Sequence, residues 1–201
     1  RSLTMKKTKA VFLALVGPNA AGKTSLAKNL ANHLGWLYLK SPPKQFWRER
    51  NSLEKHGTPE DRYKFYLKVN KHLSNIIQHK LSQGLSIILD RYYLDTLVSH
   101  SCQGVKIKDN DFAKLLEPTL TILICCSVKK QLKRLAKRSK MKKLSAAEKR
   151  HSVLQINLIN KTYQKMSLLA ARILKINTDQ KSKEQNLQIT LEVLKKLELI
   201  P

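Results

Sequence analysis

Short unbroken apolar runs alternate along the chain with stretches whose apolar residues recur at helical spacing. Residues 10–16 form a continuous apolar run, the pattern of a strand buried on both faces. Leu26, Leu30 and Leu34 then fall four apart, which predicts a helix over 25–34. A second run, 36–39, ends at Ser41-Pro42-Pro43, where the prolines forbid a continuing helix, so a short strand leading into a loop is expected. Thr58-Pro59-Glu60-Asp61 reads as a helix start, with Thr58 as N-cap, Pro59 at the first position and two acids in the first turn. That helix carries Tyr63, Tyr66, Leu67, Leu73, Ile76, Ile77 and Leu81 and stops near Gly84. Residues 85–89 are a buried-type strand ending on Asp90-Arg91-Tyr92, and 119–126 are another, followed by a lysine-rich helix from Ser127. A further helical pattern spans 145–171, opened by Ser145 and Glu148 as a capping box; 172–176 form a last short strand and 187–197 a terminal amphipathic helix. Strands alternating with helices predict an α/β fold in three layers, with a central parallel five-stranded sheet flanked by helices.

Composition narrows the setting. A chain of 201 residues can bury one sizeable core, so a single domain over 5–201 is expected, with residues 1–4, which precede Met5, read as an appended remnant. No apolar run approaches the roughly eighteen residues of a membrane span, and the run at 10–16 is too short for a signal-peptide core, so a soluble, cytoplasmic protein without a membrane partner is expected. Cys102, Cys125 and Cys126 lack metal-ligand spacing and read as buried reduced thiols. The formal charge of +25, from 39 basic and 14 acidic residues, favours phosphate-bearing partners of any kind. A solvated basic surface accounts for it as well as a nucleic-acid site does.

The chemistry begins at Gly17-Pro18-Asn19-Ala20-Ala21-Gly22-Lys23-Thr24, a G-x-x-x-x-G-K-[ST] phosphate-binding loop placed directly after an apolar strand and opening a helix. Glycines let consecutive amides turn inward on an anion, and the helix that follows adds its positive end. Gly17, Asn19, Ala20, Ala21, Gly22, Lys23, Thr24 and Ser25 are therefore nucleotide-binding candidates, with ATP and Mg²⁺ as the cofactors. Lys23 offers a point charge to the β- and γ-phosphates and Thr24 a hard oxygen to Mg²⁺. Asp90 stands at the carboxyl end of a strand that should emerge beside the loop, where ligands bind in parallel sheets. A carboxylate there can hold the water shell of Mg²⁺ or accept a proton, and Arg91 can grip a second phosphate bidentately. Residues 129–143 contain nine lysines or arginines and no acid; Arg134 and Arg138 lie four apart on one helical face with Lys137 adjoining, suited to neutralising charge on a moving phosphoryl group.

Together these motifs resemble the thymidylate kinase family of P-loop nucleoside monophosphate kinases. The resemblance rests on the loop at 17–24, the helix and strand leading to Asp90-Arg91-Tyr92 as the family's D-R-Y signature, and the strand at 121–125 followed by a basic lid, and it covers about 10–178. It implies the P-loop NTPase fold with a helical lid over roughly 134–145. It further implies Lys23, Asp90, Arg91, Arg134 and Arg138 as catalytic residues and Thr24 and Asp90 as the metal side. Lys44, Tyr66, Asn70, Arg91 and Tyr92 would form the acceptor side, with Tyr66 stacking on the base. Ala20 follows Asn19 where some members carry Arg, which is similar to members whose lid supplies the cation. Three positions depart from the family: Asn19 replaces a common acid, Asn70 or Lys71 stands where an arginine reads the base, and Ser41-Pro42-Pro43-Lys44 offers only Lys44, with Arg48 further on, in place of a phosphate-gripping arginine. The implied reaction is transfer of the ATP γ-phosphoryl group to a nucleoside monophosphate, dTMP first, in a chain that can form a homodimer. Two alternatives stand beside it: a kinase of a deoxynucleoside, a nucleic-acid 5′ end or a small metabolite, and a nucleotide-dependent nucleic-acid-binding protein. Deoxynucleoside kinases typically show E-R-S where this chain has D-R-Y, which weighs against that branch.

Overall fold

A computed structural model describes residues 10–141 and 152–201. Five strands form one sheet: β1 (Phe12–Val16), β2 (Leu37–Lys40), β3 (Ile87–Asp90), β4 (Leu120–Cys125) and β5 (Ile173–Asn177). Their spatial order is β2-β3-β1-β4-β5 and every pairing is parallel, as the alternation of strands and helices predicts. The helices among the described residues are α1 (Lys23–Leu34), α2 (Trp47–His56), α3 (Pro59–Ser82), α4 (Tyr93–Ser101), α5 (Val128–Met141), α6 (Val153–Met166) and α7 (Lys183–Lys196).

The period-two geometry of β1 divides the core. Leu13 and Leu15 face one side, where Leu26, Ala27 and Leu30 of α1 and Leu191 and Leu194 of α7 cover them. Phe12, Ala14 and Val16 face the other, against Phe65, Val69, Leu73 and Ile77 of α3, Leu94 and Val98 of α4 and Tyr163 of α6. Because β1 is central and covered on both faces, all five of its residues are buried, which is why it reads as an unbroken apolar run. β2, at the sheet edge, has no fully buried residue.

Helix ends follow their local chemistry. Thr58 caps α3 as expected: its Oγ1 accepts from the Asp61 amide at 3.1 Å while Asp61 Oδ2 accepts from the Thr58 amide at 3.0 Å. The box read at Ser145 and Glu148 lies outside the described residues, as does the end of the basic segment; α6 instead opens on Ser152 and Gln155, which form a box of their own. Two helices fall where no helix is expected. α2 occupies the loop after the prolines, and α4 follows Asp90-Arg91-Tyr92 directly. The thiols are free, with Cys126 buried and Cys102 and Cys125 only half-buried. No helix among the described residues is long and apolar enough to cross a membrane.

Candidate active site

β1 lies between β3 and β4, and the chain leaves its carboxyl end into the phosphate loop, so the ends of three strands converge on one point. At Gly17 (φ 138°) a side chain would run into the Ile124 carbonyl oxygen of β4, so only glycine lets the loop cross that close to the sheet. Ala20 takes a left-handed φ of 61°, a conformation that a Cβ disfavours and that the surrounding bonds must hold. Arg134 and Thr178 hold it: Arg134 Nη1 donates to the carbonyls of Ala20 (3.0 Å) and Ala21 (2.9 Å), and Thr178 Oγ1 donates to Ala21 O at 2.8 Å.

Lys23 is 4% exposed, and its Nζ donates to the carbonyls of Gly17 (2.5 Å) and Pro18 (2.7 Å). Burial, reinforced by the neighbouring Arg91 charge, pushes its pKa down to about 7, against the pull of Asp95 and Asp90. Asp90, at the end of β3, is fully buried. Its Oδ2 accepts from Thr24 Oγ1 at 2.6 Å and from the Tyr38 hydroxyl at 3.2 Å, while Oδ1 is buried with no protein partner. A buried carboxylate oxygen with spare acceptor capacity beside a threonine hydroxyl is the donor chemistry Mg²⁺ uses when phosphates and water supply its remaining ligands. No cluster of three His, Cys, Asp or Glu able to hold a metal by itself occurs among the described residues.

Arg91 follows with a left-handed φ of 77°, which turns its side chain out of the strand direction and over the loop. Its Nη1 donates to Asp95 Oδ1 at 3.1 Å and its Nη2 to Asn19 Oδ1 at 2.5 Å. Asp95 is 6% exposed and also accepts from the Tyr163 hydroxyl of α6 at 2.8 Å. Burial pushes its carboxyl up, opposed by the charges of Arg91 and Lys23 and by the Tyr163 bond.

From this point a cavity of about 690 Å³ extends between α1, α2, α3, α4 and α6. Gly17, Asn19, Ala20, Gly22, Lys23, Thr24, Ser25, Arg91, Tyr92, Tyr66 and Arg138 all line it. Ala21 is buried behind the loop, and Asp90 is buried beneath Thr24. The Tyr92 ring is core, packed edge-on to Phe12 and Tyr93, with its hydroxyl donating to Leu116 O at 3.2 Å. Three expected residues lie elsewhere. Lys44 is exposed on a short turn and does not line the cavity, because the turn before α2 directs it to solvent. Asn70 is buried against α4, its Nδ2 donating to Thr96 Oγ1 at 2.9 Å, behind the wall rather than in it. Arg134 is spent on the backbone of the loop and on Thr178.

Residues not singled out from the sequence make up much of the remaining wall. Trp47, Arg50 and Glu54 project from α2 at i, i+3 and i+7, and Arg62, Ser99, His100 and Gln103 close the far end. Burial pushes the Tyr66 hydroxyl up, and the charge of Arg50 pulls it back. Arg50 Nε is buried and has no partner.

The cavity thus joins a phosphate cradle to a second region with its own cations and an aromatic face, as two phosphate-bearing reactants require. The family model described as thymidylate kinase matches residues 16–189. A thymidylate kinase of Buchnera aphidicola subsp. Baizongia pistaciae is 24% identical over 194 residues, covering 86% of this chain and 89% of the relative. A solved thymidylate kinase from Candida albicans superposes with a TM-score of 0.78 at 16% identity, covering 94% of this chain and 93% of that one.

Proposed function

The chain belongs to the thymidylate kinase family, and from that premise we propose that it transfers the γ-phosphoryl group of ATP to dTMP. As a member it is a phosphotransferase acting on a nucleoside monophosphate. The observation that supports the finer reading is the single cavity that runs from Lys23 and Thr24 of the phosphate loop past Arg91 to the ring of Tyr66, with Asp90 buried beneath Thr24 and bonded to it.

Phosphoryl transfer asks the protein mainly for positioning and for charge, since the reaction itself breaks one P–O bond and forms another in line. The loop amides and the N-terminus of α1 would hold the β- and γ-phosphates, and Lys23 would swing from the Gly17 and Pro18 carbonyls to the phosphate oxygens as charge develops there. A Mg²⁺ ion held by Thr24 and, through its spare oxygen, by Asp90 would neutralise phosphate charge. Arg91 would present its guanidinium to the acceptor phosphate, and Arg138, which lines the cavity, would close over the donor. Tyr66 offers the face on which a base can stack. The thiols, free of disulfides, suit a cytoplasmic setting, and the family supports a homodimer.

The departures at Asn19, Lys44 and Asn70 all fall on the acceptor side, so acceptor identity is the point to test. A coupled ADP-release screen over nucleoside monophosphates, nucleosides and a 5′-hydroxyl oligonucleotide should show turnover with dTMP above all others. Turnover of a nucleoside or the oligonucleotide with none for any monophosphate would overturn the reading.

A further inference from the structure

Arg91 sits between two oxygen acceptors of similar shape and different charge. Its Nη1 meets the Asp95 carboxylate at 3.1 Å and its Nη2 the Asn19 amide oxygen at 2.5 Å. Each partner comes from a different element: Asn19 from the phosphate loop and Asp95 from the first turn of α4. A third element joins through Tyr163 of α6, whose hydroxyl donates to the same Asp95 oxygen at 2.8 Å. Asp95 is 6% exposed and Tyr163 4%, whereas the Arg91 side chain is 35% exposed, so the buried side of the guanidinium is bound and its open side faces the cavity.

We propose that Asp95 is the positioning residue of the acceptor site: it supplies the one carboxylate that anchors Arg91, while the neutral Asn19 takes the other nitrogen, so that the anchored cluster is neutral rather than negative and the open face of the guanidinium stays available to the acceptor phosphate. The proposal rests on the reading of Arg91 as the acceptor grip. Three features support a single shared charge. A guanidinium held by two forked acceptors is fixed in plane as well as in place, which a single bond does not achieve. Two carboxylates at these positions would leave the cluster net negative and would repel a phosphate dianion. Two amides would leave it without an opposite charge, held by weaker bonds and freer to swing away from the cavity. The present pair gives one carboxylate and one amide, and Tyr163 ties the carboxylate to the helix that follows the basic segment.

The arrangement predicts that the acid can move across the guanidinium but cannot be doubled or removed. In Asp95→Asn the KM for the acceptor should rise tenfold or more, with the KM for ATP within about twofold of wild type. Asn19→Asp alone should raise the acceptor KM as well, because the second carboxylate competes with the phosphate. The double variant Asn19→Asp/Asp95→Asn, which restores one acid and one amide, should return the acceptor KM to within about threefold of wild type. Additive losses in the double variant would overturn the proposal. A purely structural Asp95 would lower stability in every variant that lacks it and would show no recovery on moving the charge. The same cycle read by thermal unfolding without substrate needs no acceptor: Tm should fall in Asp95→Asn and recover in the double variant, and additive Tm losses would count against the Arg91 anchor. If the wild-type protein phosphorylates no monophosphate, the functional reading fails, and the thermal cycle still decides the anchor.

Discussion

At the scale of single residues, Lys23 concentrates the chemistry of the donor side. Its ammonium is buried and pushed down to about 7 because burial and Arg91 outweigh the nearby carboxylates. In the unfolded chain the same group keeps its ordinary pKa of about 10.4. Between these values the unfolded state binds the proton that the folded state lacks, so this residue's contribution to stability rises as pH climbs from about 7 towards 10. Lys23→Met should flatten that part of the profile of Tm against pH; an unchanged slope would mean the lysine is not the group responsible. Nucleotide phosphates add opposite charge and restore the ammonium. ATP binding at pH 8 should therefore draw in a large fraction of a proton. Calorimetry in buffers of different ionisation enthalpy reads that uptake directly, and a value near zero would contradict it. Turnover should fall by about 100- to 1000-fold in Lys23→Ala, the usual cost of losing one preorganised transition-state donor. Wild-type-like turnover in that variant would remove the loop from the reaction.

Among elements, the five strands and the donor loop are legible in the sequence because each is encoded in consecutive residues. β1 reads as apolar throughout since it is covered on both faces, and the loop reads as a motif since its glycines and lysine must be adjacent. α2 is not legible. It follows two prolines and carries Arg48, Glu49, Arg50, Asn51 and Ser52 with little apolar stripe, so nothing in its own pattern marks a helix. Its place is set by partners distant in sequence: Phe46 packs edge-on to Phe65 of α3 at 6.2 Å, and Lys68 of α3 pairs with Glu49 at 2.6 Å. α4 is likewise short, nine residues that follow the strand end at Asp90-Arg91-Tyr92 with no intervening loop to mark their start. With α2 hidden, the sequence offers Lys44 as the cation after β2, whereas α2 carries Arg50 into the cavity. Arg50→Ala should accordingly raise the acceptor KM about tenfold, in keeping with loss of a charged hydrogen bond, whereas Lys44→Ala should change it less than about twofold. Steady-state kinetics with the preferred monophosphate separates them, and a larger effect at Lys44 would return the role to that residue.

For the whole molecule, charge is the strongest influence that no local motif explains. With 39 basic and 14 acidic side chains, the formal charge is +25. Even if every carboxylate were paired, as Glu49 is with Lys68 and Asp95 with Arg91, most of the lysines and arginines would have no acid left to meet. Like charges spread over one compact surface raise the free energy of the folded state, and the unfolded chain relieves this by expanding. Added salt screens that repulsion, with a Debye length falling from about 30 Å at 0.01 M to about 10 Å at 0.1 M. Chloride should therefore stabilise the protein: Tm should rise by several degrees between about 10 and 200 mM NaCl at pH 7, the reverse of a fold held by surface ion pairs. Phosphate at equal ionic strength should raise Tm further, because it also occupies the loop around Lys23, and Lys23→Met should lose that increment while keeping the chloride response. The two salts thus separate diffuse repulsion from the built anion site. A Tm that falls with chloride would mean that attractive contacts outweigh the excess of lysine and arginine.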